Sequence, residues 1–158
     1  MRKWENVGET VFQGANQINL DAKGRMAVPT RAREPLTQGG TVKLVLTAHP
    51  DACLLLYPGP AWEPIRTKVM SFPSLDRQAS LWKRLLVGFA QEVEPDSAGR
   101  LLIPPELREF AHIERQVMLV GQGSHFEIWD LETWNTQLEA LRSGGSPTLP
   151  PGMENFSL

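Results

Sequence analysis

The chain has little cysteine, little tyrosine and no long apolar run, and each shortage closes off a class of protein. Only Cys53 among 158 residues is a cysteine, so there is no disulfide framework and a reducing cytoplasm is the expected compartment. A lone cysteine cannot supply a closed zinc site, and His49, His112 and His125 lack metal-ligand spacing. The longest apolar runs, such as Leu44–Ala48 and Cys53–Tyr57, are far too short to span a bilayer. The opening MRKWENVGET has no apolar stretch of the secretory kind, and no glycine loop cradles phosphate. The expectation is therefore no cofactor, no metal, no membrane partner and no small-molecule substrate.

Charge is scarce in net terms but uneven along the chain. Sixteen Lys and Arg stand against 18 Asp and Glu, a formal charge of −2. From Val11 to Glu63 there are five cations (Lys23, Arg25, Arg31, Arg33, Lys43) and four acids. From Phe89 to Ala140, Arg100, Arg108 and Arg115 face ten acids. The segment between, Pro64 to Gly88, is basic again. An acidic partner meets the first half more readily than the second; uneven solvation charge is the plain alternative.

What the chain does have is a phrase used twice. DAKGRMAVP begins at Asp21 and DSAGRLLIP at Asp96, 75 positions later. Self-similarity continues outside the phrase. Arg33 matches Arg108, VKLVLTA at Val42–Ala48 matches VMLVGQG at Val117–Gly123, and Tyr57 and Trp62 match Trp129 and Trp134. This is a tandem duplication. Two domains of about 50 residues would each be marginal alone, so the copies are expected to share a core or associate.

Both copies follow one order of elements. A half-buried strand (Gln17–Leu20; Gln91–Glu94) leads into the Asp-x-x-Gly-Arg turn, whose glycine supplies positive φ for a tight hairpin. Return strands Arg25–Val28 and Arg100–Ile103 stop at Pro29 and Pro104. A short helix follows, with Thr30 as N-cap in the first copy and Pro105 at the first helical position in the second. Gly39-Gly40 then reopens the chain into two more strands, with turns HPDA and GSHF. The predicted fold is α+β: two β-β-α-β-β repeats. Between them Ala61–Val69 and Asp76–Gly88 read as helices, with Leu81, Trp82, Leu85 and Leu86 on one apolar face. A last helix runs to about Leu141, and the tail SGGSPTLPPGMENFSL has the composition of a disordered segment. The boundaries are then an N-terminal extension 1–11, a first domain 12–62, a helical linker 63–88, a second domain 89–134, and a C-terminal helix and tail 135–158.

Catalysis finds little support. Cys53 lies near His49 and Asp51, but it opens an apolar run where free cysteine behaves as a small hydrophobe. The repeated phrase holds no nucleophile or titrating base, so the chain is not read as an enzyme. A hydrolase using Cys53 is retained only as a third alternative. The phrase itself has two readings that spacing leaves equally open. Asp, Gly and Arg suit turn architecture, with Arg paired to Asp. Equally, an exposed turn bearing Arg suits bidentate contact with phosphate or guanine. Asp21, Lys23 and Arg25, with Asp96 and Arg100, are the candidate DNA-binding residues. Lys23 gives the first turn a second cation where the second has Ala98, and Glu92, Glu94 and Asp96 disfavour DNA near the latter. Trp62, Trp82, Trp129 and Trp134 are assigned to core or subunit packing rather than base stacking. Trp4 is left unplaced.

The stretches GANQINLDAKGRMAVPTRAR, CLLLYP, RLLVGFAQEVEPDSAGRLLIPPELREFA and VGQGSHFEIWD closely resemble the MraZ family of bacterial transcriptional regulators. The resemblance runs from about Phe12 to Trp134. It implies two tandem SpoVT-AbrB-type domains forming one pseudo-two-fold, swapped-hairpin β-barrel with flanking helices. It also implies a cytoplasmic, nucleoid-associated DNA binder that assembles into homo-oligomeric rings and contacts short repeats in double-stranded promoter DNA of the division and cell-wall gene cluster. Its DxxxR motif falls on Asp21 and Arg25 and again on Asp96 and Arg100. Met1–Thr10 precedes the family's usual start near Val11; an upstream start codon or a true extension would each explain it, and N-terminal sequencing separates them. Within that reading the first turn reads DNA and the second is mainly structural or concerned with subunit contacts. A protein-interaction scaffold without DNA binding is the alternative.

Overall fold

The computed structural model describes residues 11–37, 43–145 and 147–158. The expectations placed on Met1–Thr10, Trp4, Gly39-Gly40, Val42 and Ser146 lie outside the described residues. The first copy comprises β1 (Ala15–Asn19), β2 (Arg25–Ala27), α1 (Thr30–Leu36), β3 (Leu44–Ala48) and β4 (Leu54–Pro58). The linker carries α2 (Gly59–Met70) and α3 (Arg77–Trp82), which continues as a π-helical turn over Lys83–Gly88. The second copy repeats the order as β5 (Gln91–Val93), β6 (Arg100–Leu102), α4 (Pro105–Phe110), β7 (Gln116–Gly121) and β8 (Phe126–Asp130), and α5 (Leu131–Gly144) follows. The predicted β-β-α-β-β grammar is present twice.

The copies are interleaved. One antiparallel sheet runs β1-β7-β8-β4-β3-β5 and a separate ribbon pairs β2 with β6. The order reads the same from either end once each strand is exchanged for its repeat partner. The first strand of each copy therefore pairs with a strand of the other: β1 with β7, β5 with β3. An internal two-fold axis passes between β4 and β8, where Leu55 faces Glu127, and between β2 and β6, where Met26 faces Leu101. Neither copy closes a core of its own, so the marginal stability of a 50-residue unit never arises. The apolar faces of sheet and ribbon enclose one shared core: Met26, Leu44, Leu46, Leu101, Leu107, Leu119 and Ile128 are all fully buried. Full burial of each such side chain contributes about 1.5–3 kcal/mol.

Four details differ from expectation. The strands flanking each Asp-x-x-Gly-Arg turn are not a ladder: Asp21 N–H donates to Arg25 O at 3.0 Å, then β1 leaves for β7 and β2 for β6. Thr30 lies inside α1, and Pro29 holds the N-cap position without a side-chain cap. The β3–β7 equivalence pairs Leu44 with Val117, two residues from the match made by sequence, because Leu44 faces Val93 just as Val117 faces Ile18. Lastly, Leu81 and Trp82 are each 42% exposed, whereas Leu85 and Leu86 are half-buried. The π-turn is wider than an α-turn, so it rotates the face that a 3.6-residue period would keep in line.

Two satellite clusters cover the outer face of the sheet and obey the same symmetry. Tyr57 packs against Trp62 with ring centroids 5.8 Å apart, and Trp129 against Trp134 at 5.9 Å. The strand aromatic in each copy thus seats the helix that follows it. The symmetry breaks at Thr47. Its hydroxyl donates to Leu86 O at 2.8 Å, docking the π-turn of the linker onto β3, while the corresponding Val120 sits among Cys53 and Trp129 under α5.

Candidate nucleic-acid interface

Both Asp-x-x-Gly-Arg turns are built by local hydrogen bonding. Asp21 Oδ1 accepts from the backbone N–H of Lys23 and of Arg25, each at 2.9 Å. Gly24 N–H donates to Asp21 O at 3.0 Å, and Gly24 takes φ +84°, a left-handed conformation that favours glycine. The second turn copies this: Asp96 Oδ1 accepts from Ala98 and Arg100, and Gly99 has φ +76°. Asp and Gly in the phrase are therefore fully explained as turn chemistry.

The arginines go further. Arg25 Nε donates to Asp21 Oδ2 at 2.7 Å, and Arg100 Nε to Asp96 Oδ2 at 3.0 Å. Because β2 pairs with β6, the two turns lie side by side. Arg25 Nη1 comes within 3.9 Å of Asp96, and Arg100 Nη1 within 3.8 Å of Asp21. The result is one quartet of two carboxylates and two guanidinium groups. Each arginine is fixed at Nε, and its terminal nitrogens make no hydrogen bond among the described residues. The side chains are 28% and 38% exposed. A guanidinium anchored at Nε and still partly exposed is pre-organised for a planar, two-point acceptor such as phosphate or the guanine edge. The backbone N–H of Arg25, foremost, and the Arg25 side chain hold the Asp21 carboxyl down at about 2. Asp96 is lowered likewise, first by the backbone N–H of Arg100.

All five sequence-predicted residues come together here. The expected contrast between the turns narrows, however. Each arginine has one acid from each copy, so the nearest charges are the same for both. Two differences remain: Lys23, exposed and without a side-chain partner among the described residues, against Ala98, and neutral Gln17 and Asn19 against Glu92 and Glu94. Two further residues were noted in sequence only as a repeat match. Arg33 Nε donates to Val28 O at 2.8 Å and Arg108 Nε to Ile103 O at 2.9 Å. Each guanidinium then lies against the glycine of the other copy's turn. Their 75-residue spacing marked them, but only the pairing of β2 with β6 shows what they touch.

The other candidates lie elsewhere. Cys53 is fully buried, and burial pushes its thiol well above the ordinary range, which removes the thiolate that a nucleophile needs. His125 stacks on Tyr57 with centroids 4.5 Å apart, and burial lowers its pKa. His49 Nδ1 accepts from Asp51 N–H at 3.0 Å, and His112 sits in the turn after α4. Among the described residues no three His, Cys, Asp or Glu converge as a metal site, and no helix is long and apolar enough to cross a membrane.

The duplicated turn pair is accompanied by family matches over both halves. The model of the MraZ protein, described as putative antitoxin-like, matches residues 11–85 and again 86–147. The chain belongs to the MraZ family. A protein of Methylobacillus flagellatus named transcriptional regulator MraZ is 59% identical over 148 residues, spanning 94% of this chain and all of that one. Proteins of the same name from Dechloromonas aromatica and Nitrosomonas europaea are 53% and 44% identical over the same length. The tandem MraZ matches divide the chain within the linker, inside the π-turn.

Proposed function

We propose that this chain is a DNA-binding transcriptional regulator, acting as a repressor at promoter repeats of the division and cell-wall gene cluster and working as a ring of identical subunits. The observation that carries the reading is the pair of partly exposed arginines anchored at Nε, with no hydrogen bond to their terminal nitrogens among the described residues. Similarity to relatives named as transcriptional regulators supports it. Arg25 and Arg100 supply bidentate contacts, Lys23 adds attraction to the backbone, and Asp21 and Asp96 orient the arginines. The quartet itself is electrically balanced, so one subunit binds weakly. Several subunits engaging repeats one helical turn apart gain through effective concentration. Exposed Met70, Leu81 and Trp82 on the linker helices, with Leu75 in the turn between them, supply apolar surface suited to a further copy.

A footprint over the DNA upstream of the protein's own gene tests the reading, followed by titrations of the protected duplex at several salt concentrations. Arg25→Ala should abolish specific retention, Arg100→Ala should cost less, and Lys23→Ala should reduce the slope of log affinity against log salt by about 0.9. Equal losses for the two arginines would remove the assigned difference between the turns. The balanced charge of the quartet also favours a second reading, a ring-forming interaction scaffold. Absence of salt-sensitive DNA retention by the wild-type oligomer would select it.

A further inference from the structure

We propose that Arg108, in the second copy, is the positioning residue of the first copy's DNA-reading turn, and that Arg33 serves the second copy's turn in the same crossed way. The proposal rests on the DNA-reading role given to these turns above.

The crossing is geometric. A Cβ built on Gly24 would lie 2.6 Å from Arg108 Cζ and 2.7 Å from Nη1, so the guanidinium rests directly against the glycine backbone. A Cβ on Gly99 would lie 2.5 Å from Arg33 Cζ. Each arginine is aimed by its own copy, since Nε bonds the carbonyl at the end of its own return strand, Val28 O or Ile103 O. The same two residues are hydrogen-bonded to the opposite turn: Val28 N–H donates to Gly99 O at 3.0 Å and Ile103 N–H to Gly24 O at 3.1 Å. Residue 103, Arg108 and Gly24 thus form one triangle, and residue 28, Arg33 and Gly99 the other. The three atoms nearest a Cβ on Gly24 all belong to Arg108, on the second copy's helix.

The consequence concerns Lys23 and Arg25, which flank Gly24. Their direction depends on a flat side chain behind the glycine, and a guanidinium is flat enough to lie there while donating sideways. The turn that carries Lys23 is therefore braced from the copy that lacks it. A purely structural role would affect both halves alike; a positioning role predicts crossed effects.

The test uses full-length protein with Arg108→Gln and Arg33→Gln. Three readouts are taken: hydrogen exchange of peptides covering residues 20–27 and 95–102, affinity for a duplex from upstream of the protein's own gene, and urea unfolding. Arg108→Gln should raise exchange at 20–27 and weaken DNA binding about tenfold, the loss of one charge-assisted contact. Arg33→Gln should raise exchange at 95–102 and change affinity no more than about twofold. Both should lose similar stability. Exchange that rises in the substituted residue's own copy, or equal affinity losses at equal stability, overturns the proposal. If Arg108→Gln does not fold, Arg108→Lys keeps the charge without the plane and should give the same pattern in weaker form. Should the wild-type protein fail to bind the duplex, the DNA reading fails, and the exchange pattern still decides whether the bracing is crossed.

Discussion

Arg25 and Asp96 belong to different copies of the repeat, yet the guanidinium of one lies 3.9 Å from the carboxylate of the other. The reciprocal pair, Arg100 and Asp21, is 3.8 Å apart. The two turns therefore share their nearest charges. Asp96→Asn removes a negative charge from both arginines and frees the Nε of Arg100. Binding to arbitrary DNA at low salt should tighten, while preference for the promoter duplex over a scrambled one should fall by roughly fivefold. Anisotropy titrations with both duplexes check this, and unchanged discrimination would show that the second turn takes no part in orientation.

Acid should loosen the turns in a defined window. Asp21 titrates at about 2 in the folded chain against an ordinary 3.8, so the unfolded chain binds the extra proton first. The resulting stabilisation is fully present above the ordinary value and is lost as pH falls from there through about 2. Asp96 acts in the same direction. Urea unfolding between pH 5 and 2.5 should show stability falling with acid, and Asp21→Asn should flatten that dependence.

Gly24 and Gly99 are each required twice over. Alanine would adopt a left-handed φ and drive a methyl group into the opposite arginine. Gly24→Ala and Gly99→Ala should each cost about 2 kcal/mol or more, from backbone strain plus displacement of the guanidinium. Chemical denaturation measures both. A cost below about 0.5 kcal/mol would mean that the guanidinium moves aside freely.

Thr47 tests the docking of the linker. Thr47→Val copies the residue found at the equivalent place in the second half, Val120, and leaves Leu86 O without its hydroxyl donor. A loss of about 1 kcal/mol is expected. Exchange should rise across 83–88 and stay unchanged across 126–130. If exchange rises equally in both segments, the bond acts on the whole sheet rather than on the linker.

Much of the fold was legible because duplication reports on itself. The repeated Asp-x-x-Gly-Arg phrase located two turns, and the paired aromatics at 57/62 and 129/134 located two strand-to-helix seats. Strand exchange between the copies was implied by the family resemblance but not legible in the local pattern, since Gln17–Leu20 carries the same alternation whether it pairs with its own copy or the other. Chain interleaving is a property of the axis, which no local pattern encodes. The π-turn was hidden for a related reason: Leu81, Trp82, Leu85 and Leu86 satisfy an α-helical period that the extra backbone of Lys83–Gly88 then breaks. The site divided similarly. Asp21, Arg25, Asp96 and Arg100 could be named from spacing, whereas their merger into one quartet, and the crossed placement of Arg33 and Arg108, require the ribbon.

Leu55 opposite Glu127 marks a freedom that two separate identical chains would not have. On a true dimer axis a residue meets its own copy, so a glutamate there would face a glutamate and like charges would oppose each other. Joining the halves in one polypeptide lets a mutation fall on one side only. Glu127 accepts the indole N–H of Trp129 at 2.9 Å, while Leu55 stays buried beside Tyr57 and Trp62. Tandem fusion thus turns every position near the axis into two independently heritable ones, and selection can specialise one flank without damaging its twin.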